Sequence, residues 1–336
     1  MYIIKQSPED FKVVERTVIQ PHDQGNYVYV WLTKRLYNTV RACEAVADFF
    51  CVQRKDVGFA GSKDHDAITR QLISVRDPKM RIDQQRVASF KRSDLSLEYS
   101  GRGNGPISLG DLSGNEFEIV VRSVPALKNL VAPLFVTNYF DAQRFSVQNQ
   151  VIGRLMIKGD FVKASSLISD DSVSSHLAAR PTDAVGAIKC LSIKEQLLYV
   201  HAYQSWLWNE TAKRYIRMMY DQSKVKSVKS PVGELLFLKN PSDKDNVEIP
   251  LVGFATEYSD TTIKGIVRAV LHEEGVKERD FVIRSLPELS SEGGMRSLLV
   301  GVEDFKVEKV DETTWKLSFF LPKGAYATML IRQLFS

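Results

Sequence analysis

The chain has 336 residues, enough for about two domains, and its 44% hydrophobic and 26% charged residues are an ordinary globular mixture. Its 45 basic and 41 acidic side chains leave a net charge of +4, which is low for a dedicated DNA-binding domain but permits a local basic face for a polyanion. The three cysteines form no C-x-x-C pair, so no disulfide framework is expected. No apolar run reaches the ~18 residues that a membrane span needs, and the N-terminal stretch is too short and too polar for a secretory signal. The sequence therefore predicts a cytoplasmic protein.

Segments rich in β-branched and aromatic residues predict strands in the first part of the chain. These segments are residues 10–15, 27–32 and 71–76. Between the last two lies "NTVRACEAVADFFCVQ", whose apolar residues, Val40 among them, have helical spacing. Asn38 or Thr39 is the predicted N-cap of this helix.

A glycine-rich segment, "GRGNGPISLGDLSGNEFEIVVR" at 101–122, is predicted to form turns that lead into an alternating strand. It has neither a G-x-G-x-x-G between a strand and a helix nor a Walker lysine. A nucleotide-binding loop is therefore rejected.

The middle of the chain is predicted to be mainly helical, with its clearest helix at 198–220. The aromatic stripe of that helix is expected in the core rather than on an RNA-binding face. Residues 223–246, rich in Lys, Ser, Pro and Asp, are predicted to form exposed loops, and a further helix is expected at 260–275. Because alternating strands return at 305–309 and 314–320, we expect one domain inserted into another, with both chain ends in the same sheet.

The stretch "VGFAGSKDHDAITRQLISV" places four polar residues, Lys63 to Asp66, directly after small and apolar ones. The five histidines are scattered and no G-x-S-x-G is present, so we expect neither a metal site nor a serine hydrolase. A solvated surface turn and a single working carboxylate both remain open. An aspartate is ionised at neutral pH and can act as a nucleophile or stabilise positive charge on a sugar. Small residues before Asp64 would allow close approach of a substrate or another backbone, and Lys63 or another nearby cation would keep Asp64 charged.

Several stretches together resemble one family, the TruD-type tRNA pseudouridine synthases. "KQSPEDFKVVE" is similar to its D-F-x-V-x-E, "GFAGSKDHDAITRQ" to its G-x-K-D followed by A-x-T-x-Q, and "SLGDLSGNEFEIVVR" to its G-x-L-x-G-N-x-F. "NYFDAQRFS" resembles its N-Y-F-x-x-Q-R-F-G, "HAYQSWLWNE" a helix of its inserted domain, and "LPKGAYATMLIRQL" its C-terminal signature. These stretches run in family order from residue 5 to residue 334, so the resemblance covers nearly the whole chain.

The resemblance implies an α+β fold. A discontinuous catalytic domain at 1–155 and 302–336 would carry a mixed, mostly antiparallel sheet, and 156–301 would form an inserted, mainly helical α/β (TRUD) domain. It implies isomerisation of uridine to pseudouridine in tRNA, typically at position 13, after the base is flipped out of its stack. In that reaction the N1–C1′ bond breaks and a C5–C1′ bond forms without redox change or hydrolysis. We therefore expect no cofactor and no metal, tRNA as the partner, and a monomer.

The resemblance also implies a set of site residues. Asp64, the aspartate of G-x-K-D, is the expected catalyst. Asn138 would orient Asp64 or the uracil by hydrogen bonding, and Phe140 would stack on the flipped base. The other positions that match the substrate site are two aromatic residues and two basic ones, namely Phe11, Tyr326, Lys5 and Lys63.

This chain departs from the family pattern at several positions. His65 follows the aspartate where the family often has Arg, Ser146 replaces a Gly, and Asp141 replaces a small residue. Tyr326 adds a hydroxyl where the family often has Phe. None of these departures removes the aspartate. The family pattern gives no role for His65.

Two other functions compete with the synthase. A non-catalytic tRNA-binding protein or RNA folding chaperone would use the same basic and aromatic residues without chemistry. A carboxylate-dependent glycosidase would release free base or sugar, whereas isomerisation releases nothing. For a synthase, Asp64 could attack C1′ or assist elimination to a glycal. The sequence does not indicate which tRNAs are modified.

Overall fold

The computed structural model describes residues 2–124, 130–146 and 148–336. Contacts divide the chain into two compact units, one formed by the described residues of 1–134, 301–327 and 334–336, the other by those of 135–300 and 328–333. The first junction between these units lies before the end of the predicted 1–155 segment.

The strands are β1 (Phe11–Thr17), β2 (Tyr27–Arg35), β3 (Val57–Phe59), β4 (Ile68–Arg76), β5 (Leu95–Gly103), β6 (Leu112–Val121), β7 (Phe135–Thr137), β8 (Val225–Ser230), β9 (Gly233–Leu238), β10 (Glu248–Leu251), β11 (Gly294–Ser297), β12 (Leu299–Gly301), β13 (Glu303–Lys309) and β14 (Trp315–Pro322). The helices are α1 (Thr39–Phe50), α2 (Gln84–Ala88), α3 (Ala142–Phe145), α4 (Asn149–Ile157), α5 (Phe161–Ser166), α6 (Asp171–Ala179), α7 (Ala184–Lys189), α8 (Ile193–Met219), α9 (Thr261–Glu274) and α10 (Ala327–Phe335). Among the helices of the described residues, none is both long and apolar enough to cross a bilayer.

An eight-stranded sheet forms the frame of the first unit. Seven of its strands run in the order β13-β14-β6-β1-β4-β2-β5, and β3 pairs with β4. β1 and β4 are parallel, whereas the other neighbours in this sheet are antiparallel. The fold is therefore mixed α and β with a mixed, mostly antiparallel sheet, as predicted. β13 and β14, from the far end of the chain, join the N-terminal strands, which confirms that both chain ends contribute to one sheet.

Helix α1 begins where the sequence predicts. The Asn38 side-chain oxygen accepts hydrogen bonds from the backbone amides of Val40 (2.8 Å) and Arg41 (3.3 Å), which satisfies two amides of the first turn. The buried face of the helix includes Cys43 and Val46, which pack in one core cluster with residues of β2 and β4. The placement of Val40 on this face is wrong: it is 42% exposed, because the buried face passes through Thr39 instead.

Helix α8 is the longest element of the second unit, and a capping box of Ser192 and Glu195 begins it. Its aromatic stripe lies in the core, as predicted. The Tyr203 ring stacks on Trp206 and on Phe281, with centroids 6.1 and 6.4 Å apart, and Trp208 is fully buried.

The prediction that residues 223–246 form exposed loops is wrong. β8 and β9 pair as an antiparallel hairpin, and the side chains of residues 235–238 at the end of β9 are buried. The polar residues that suggested a loop lie on the exposed side of β8 and in the turn, where Gly233 adopts φ +94°. The apolar run "LLFL" is the local sign of a buried strand.

Gly58 of β3 lies directly against another part of the backbone. A Cβ at this position would lie 2.3 Å from the Ile107 carbonyl oxygen and 2.8 Å from the Ser74 hydroxyl. Gly61 has more room, because the nearest atom to a Cβ there is the Lys63 ammonium at 3.8 Å. At Gly58 the small residue therefore serves the approach of another backbone.

Substituting Gly58→Ala should lower the free energy of unfolding by about 1–3 kcal/mol, because the added methyl overpacks a backbone carbonyl that cannot rotate away. Urea unfolding measures the change. Gly61→Ala is the matched control and should shift stability by about 0.5 kcal/mol or less. Equal effects at the two positions would contradict the close approach at Gly58.

Candidate active site

Asp64 lies in the connection between β3 and β4, with its side chain 22% exposed. One carboxylate oxygen, Oδ2, accepts a hydrogen bond from the Lys5 ammonium at 3.1 Å. The same ammonium lies 4.2 Å from the centroid of the Phe11 ring, a cation–π contact from an almost fully buried aromatic. The structure thus brings together three of the predicted site residues, Asp64, Lys5 and Phe11.

A fully buried lysine of β2, Lys34, supports the backbone beneath Asp64. Its ammonium donates to the carbonyl oxygen of Asp64 at 2.6 Å and to that of Lys63 at 3.3 Å. Burial lowers the pKa of Lys34 from its ordinary 10.5 to about 8, partly offset by the Asp64 charge. Lys34 is absent from the predicted site. The feature that could have indicated its burial is its position in β2, where it follows Val28, Val30 and Leu32 as every second, buried residue.

Lys63 lies next to Asp64 in the chain but pairs with a different carboxylate. Its ammonium contacts the Glu15 carboxylate at 2.6 Å, with the two side chains 5% and 0% exposed. Burial raises the pKa of Glu15, and the Lys63 charge opposes that shift. The sequence left Lys63 or another nearby cation as the charge partner of Asp64, and the structure places the Lys5 ammonium on that carboxylate. Glu15 is the last residue of the D-F-x-V-x-E match and, like Lys34, is absent from the predicted site.

Further hydrogen bonds fix the Asp64 loop to its surroundings. The Thr39 hydroxyl accepts from the backbone amide of Lys63 at 3.1 Å, and the Gln71 side chain donates to the Gly61 carbonyl at 3.0 Å. Together with Lys34, these contacts hold the loop from α1, β2 and β4. The carboxylate therefore stands on backbone that is fixed at several points.

His65 and Asp66 form an exposed pair of their own. The His65 ring nitrogen Nδ1 and an Asp66 carboxylate oxygen are 2.6 Å apart. This hydrogen bond lowers the pKa of Asp66, a group at the surface. The two aspartates, two residues apart in the chain, thus have different partners: Asp66 pairs with the neighbouring His65, while Asp64 contacts Lys5 from the N-terminal segment.

Asn138 lies in the second unit, directly after β7. Its side-chain oxygen accepts from the Arg296 guanidinium at 2.5 Å, its amide nitrogen donates to the Ser297 carbonyl at 3.1 Å, and Arg296 also donates to the Asn138 carbonyl at 3.0 Å. Arg296 of β11 therefore holds both the main chain and the side chain of Asn138. No motif in the sequence marks this arginine.

Phe140 is buried in the same segment of the second unit. Its backbone amide donates to the Asn209 side chain at 3.0 Å, and Asn209 donates back to the Phe140 carbonyl at 2.9 Å. The Arg296 guanidinium lies 4.0 Å from the Phe140 ring centroid, and the ring meets Trp208 edge-on at 5.9 Å. Asn209, from the "HAYQSWLWNE" stretch, thus fixes the backbone of the loop.

The remaining predicted residues are distributed as follows. Tyr326 is half-buried in the first unit, immediately before α10. Arg144, in the "NYFDAQRFS" stretch, donates to the Ser205 hydroxyl of α8 at 3.2 Å. Within the described ranges, no group of three or more His, Cys, Asp or Glu side chains is arranged to hold a metal ion.

These features define a protein of mixed α and β structure in which Asp64 lies on the connection between β3 and β4, on backbone that side chains of α1, β2 and β4 hold in place. Comparisons with known proteins agree with the sequence motifs. The family model described as tRNA pseudouridine synthase D (TruD) matches residues 2–172, 164–227 and 219–334. The chain therefore belongs to the TruD family of tRNA pseudouridine synthases, which confirms the resemblance.

Individual relatives match along the whole length. A probable tRNA pseudouridine synthase D of Thermococcus sibiricus is 28% identical, with 98% of this chain and 94% of that protein covered. The tRNA pseudouridine synthase D of Aquifex aeolicus is also 28% identical, over 99% and 97% of the two chains. A solved structure of a putative tRNA pseudouridine synthase D from Methanosarcina mazei matches with a TM-score of 0.69 at 26% identity, covering 99% and 93%.

Replacing Lys34 with Met should alter the pH dependence of stability. Between pH 8 and 10 the unfolded chain keeps the Lys34 proton and the folded chain loses it, so the stability of the wild type rises with pH. Relative to Lys34→Met, the wild type should gain up to about 3 kcal/mol across this window. Urea unfolding at stepped pH measures the difference.

Lys316→Met is the control for this experiment. The hydrogen bond with Glu118 raises the pKa of Lys316, so its contribution is fully present below the unfolded pKa of about 10.4 and stays constant from pH 8 to 10. A flat difference for Lys34→Met, like that of the control, would contradict the buried cation.

Proposed function

We propose that this protein isomerises uridine 13 of tRNA to pseudouridine and that Asp64 is its single catalytic aspartate. Membership of the family supports the reaction, and the fixed position of Asp64 supports the catalyst. The observation that carries the proposal is the contrast within one loop: Asp64 is held by two lysines, through its carboxylate and its carbonyl, whereas Asp66 pairs with its exposed neighbour His65.

The reaction needs one carboxylate near C1′ of the flipped nucleotide. Two routes use it: attack on C1′ as a nucleophile, or assistance to elimination that leaves a glycal. In both, the N1–C1′ bond breaks, the uracil turns, the C5–C1′ bond forms, and C5 loses a proton while N1 gains one. Asp64 can serve either route because its backbone is fixed by Lys34 and its Oδ2 is oriented by Lys5.

Lys5 and Phe11 act together in this proposal. Phe11 lies beneath the Lys5 ammonium and is too buried to offer an open stacking face, so it supports the lysine. Lys5, which is 25% exposed, is the basic residue that we assign to substrate contact. Lys63 has an indirect role through Glu15, and Tyr326 is assigned to the substrate pocket from its position in the C-terminal signature.

Asn138 and Phe140 are assigned to the uracil. An amide nitrogen has two hydrogens, and Ser297 accepts one from Asn138, so the other can donate to a uracil oxygen. Phe140, which is 8% exposed where Phe11 is 1% exposed, would stack on the flipped base, with its ring orientation set by Arg296 and Trp208. We further propose that the protein works as a cytoplasmic monomer without a metal or organic cofactor.

Asp64→Asn tests the catalyst. Pseudouridine formation at uridine 13 should fall by about 10³-fold or more, because the nearly isosteric amide cannot attack C1′ or carry the negative charge. The measurement is single-turnover conversion of unmodified tRNA, read by pseudouridine mapping. The urea midpoint should change little, since Asn retains the side-chain oxygen that accepts from Lys5.

Asp66→Asn is the matched control and should keep wild-type conversion. Full activity in Asp64→Asn would remove Asp64 as the catalyst. A wild-type protein that binds tRNA but makes no pseudouridine would favour the chaperone function, and release of free base would favour a glycosidase.

Phe140→Leu tests base stacking. Stacking of a base on an aromatic ring is worth about 1–3 kcal/mol, so kcat/KM for tRNA should fall by about 5- to 150-fold. Phe140→Tyr, which keeps the ring, should recover most of the loss. The control is Phe254→Leu, at an exposed position of the same unit. Unchanged kinetics in Phe140→Leu would rule out the stacking role.

A further inference from the structure

A surface cleft in the second unit lies between the end of α4, the start of α5 and residues 279–285. It encloses about 500 Å³ and is lined by Met156, Ile157, Lys158, Gly159, Phe161, Arg279, Asp280, Val282, Ile283, Arg284 and Ser285. None of these residues contributes the contacts of Asn138 or Phe140 described above. The cleft is therefore a separate feature that the proposed chemistry does not use.

The cleft carries positive charge that the protein does not neutralise. Among the described residues, no carboxylate lies within 4.0 Å of the Lys158 ammonium or the Arg284 guanidinium. Arg279 approaches a carboxylate only loosely, at 3.9 Å from Asp280. The other oxygen of the Asp280 carboxylate accepts a hydrogen bond from the backbone amide of Lys277 at 2.8 Å, so this oxygen is engaged by the backbone and not by Arg279.

Other arginines of the same unit are arranged differently. Arg154, Arg214 and Arg217 each have a glutamate partner at 2.6 to 3.0 Å, outside the cleft. Surface arginines in this unit can therefore find close carboxylate partners. In the cleft, three exposed cations converge on a concave surface, and the ion pair described there, Arg279–Asp280, is loose at 3.9 Å. Such an arrangement raises the local concentration of anions.

Both walls of the cleft rest on the long helix α8, so the cleft is preformed. On one side, α4 packs closely on α8: a Cβ at Gly153 would lie 2.0 Å from the Tyr199 carbonyl oxygen. On the other side, Phe281 stacks on Tyr203 of the same helix. Anchoring of both walls lowers the ordering cost of binding.

The lining also contains apolar surface between the cations, from Phe161, Ile157 and the exposed Val282. A nucleic-acid backbone presents phosphates for the cations and sugar faces for the apolar atoms. We propose that this cleft binds a segment of the sugar–phosphate backbone of the tRNA substrate, a step that rests on the proposed function. The cleft adds affinity without reading bases and takes no part in the chemistry.

The test uses the full-length protein in three forms. The cleft variant combines Lys158→Gln, Arg279→Gln and Arg284→Gln. The control variant removes the same charge from exposed lysines of the same unit outside the cleft, with Lys189→Gln, Lys194→Gln and Lys229→Gln. For each form, the Kd for unmodified tRNA is measured from 50 to 200 mM salt, together with kcat and KM for pseudouridine formation.

In the cleft variant, the slope of log Kd against log salt should fall by about 2 to 3, because each phosphate contact contributes about 0.7 to 0.9. Kd and KM should rise about tenfold or more, with kcat at saturating tRNA unchanged. The control variant should keep a slope close to that of the wild type. Equal slopes in all three forms, or an equal loss in the control variant, would overturn the proposal.

The outcomes separate this proposal from the proposed function. If the wild type makes no pseudouridine, the function fails, while the salt slopes still decide whether the cleft binds RNA. If the wild type is active and the cleft variant keeps its KM, the cleft proposal fails and the function stands. A titration with uridine monophosphate adds a last arm: saturable binding lost in the cleft variant, with the tRNA slope unchanged, would assign the cleft to a free nucleotide and overturn the proposal.

Discussion

The geometry around Asp64 depends on a charged lysine that has no access to water. The Lys34 ammonium is buried within the first unit, where it donates hydrogen bonds to the carbonyl oxygens of Lys63 and Asp64. Removing an ammonium from water costs several kcal/mol, and carbonyl dipoles return only part of that cost. A hydrophobic residue would be less costly at this position, but it could not hold two consecutive carbonyls of a loop. The loop conformation at Asp64 is thus obtained at the expense of stability.

The same sheet face carries a buried ion pair, between Glu15 and Lys63. The parallel register of β1 and β4 sets Val13 beside Thr69, so Glu15, two residues further along β1, reaches the β4 backbone at Leu72. Such a pair is weak evidence for stability, because desolvation offsets much of the attraction between its members. Its effect is geometric: it directs the Lys63 ammonium to Glu15, while the Lys5 ammonium contacts Asp64.

Local patterns predict the parts of the fold that depend on short stretches. Six strands of the first unit, the Asn38 cap and the aromatic core face of α8 follow from residue type, alternation, capping chemistry and helical spacing; these strands are β1, β2, β4, β6, β13 and β14. The β8–β9 hairpin was not predicted, because β8 is polar and the polar composition of the whole segment suggested a loop. The apolar run of β9 was the only local sign of a strand. Of the site, the family motifs predict Asp64, Lys5 and Phe11 as neighbours. The pairing of Lys63 with Glu15 needs the strand register, and the Arg296–Asn138 contact joins residues far apart in the chain.

In each unit a cation orients the residue assigned to the chemistry, and the type of cation suits its task. Lys34 and Lys5 hold oxygens as compact point donors: Lys34 reaches two carbonyls from below, and Lys5 reaches one carboxylate oxygen. Arg296 uses a planar fork, with separate nitrogens on the carbonyl and the side-chain oxygen of Asn138 and its central carbon 4.0 Å from the centroid of the Phe140 ring. A lysine at position 296 has a single ammonium nitrogen, so it could not place separate nitrogens on the two oxygens. A single arginine thereby couples the orientation of Asn138 to that of Phe140, so the hydrogen-bonding and stacking groups proposed for the uracil are held in one fixed relation.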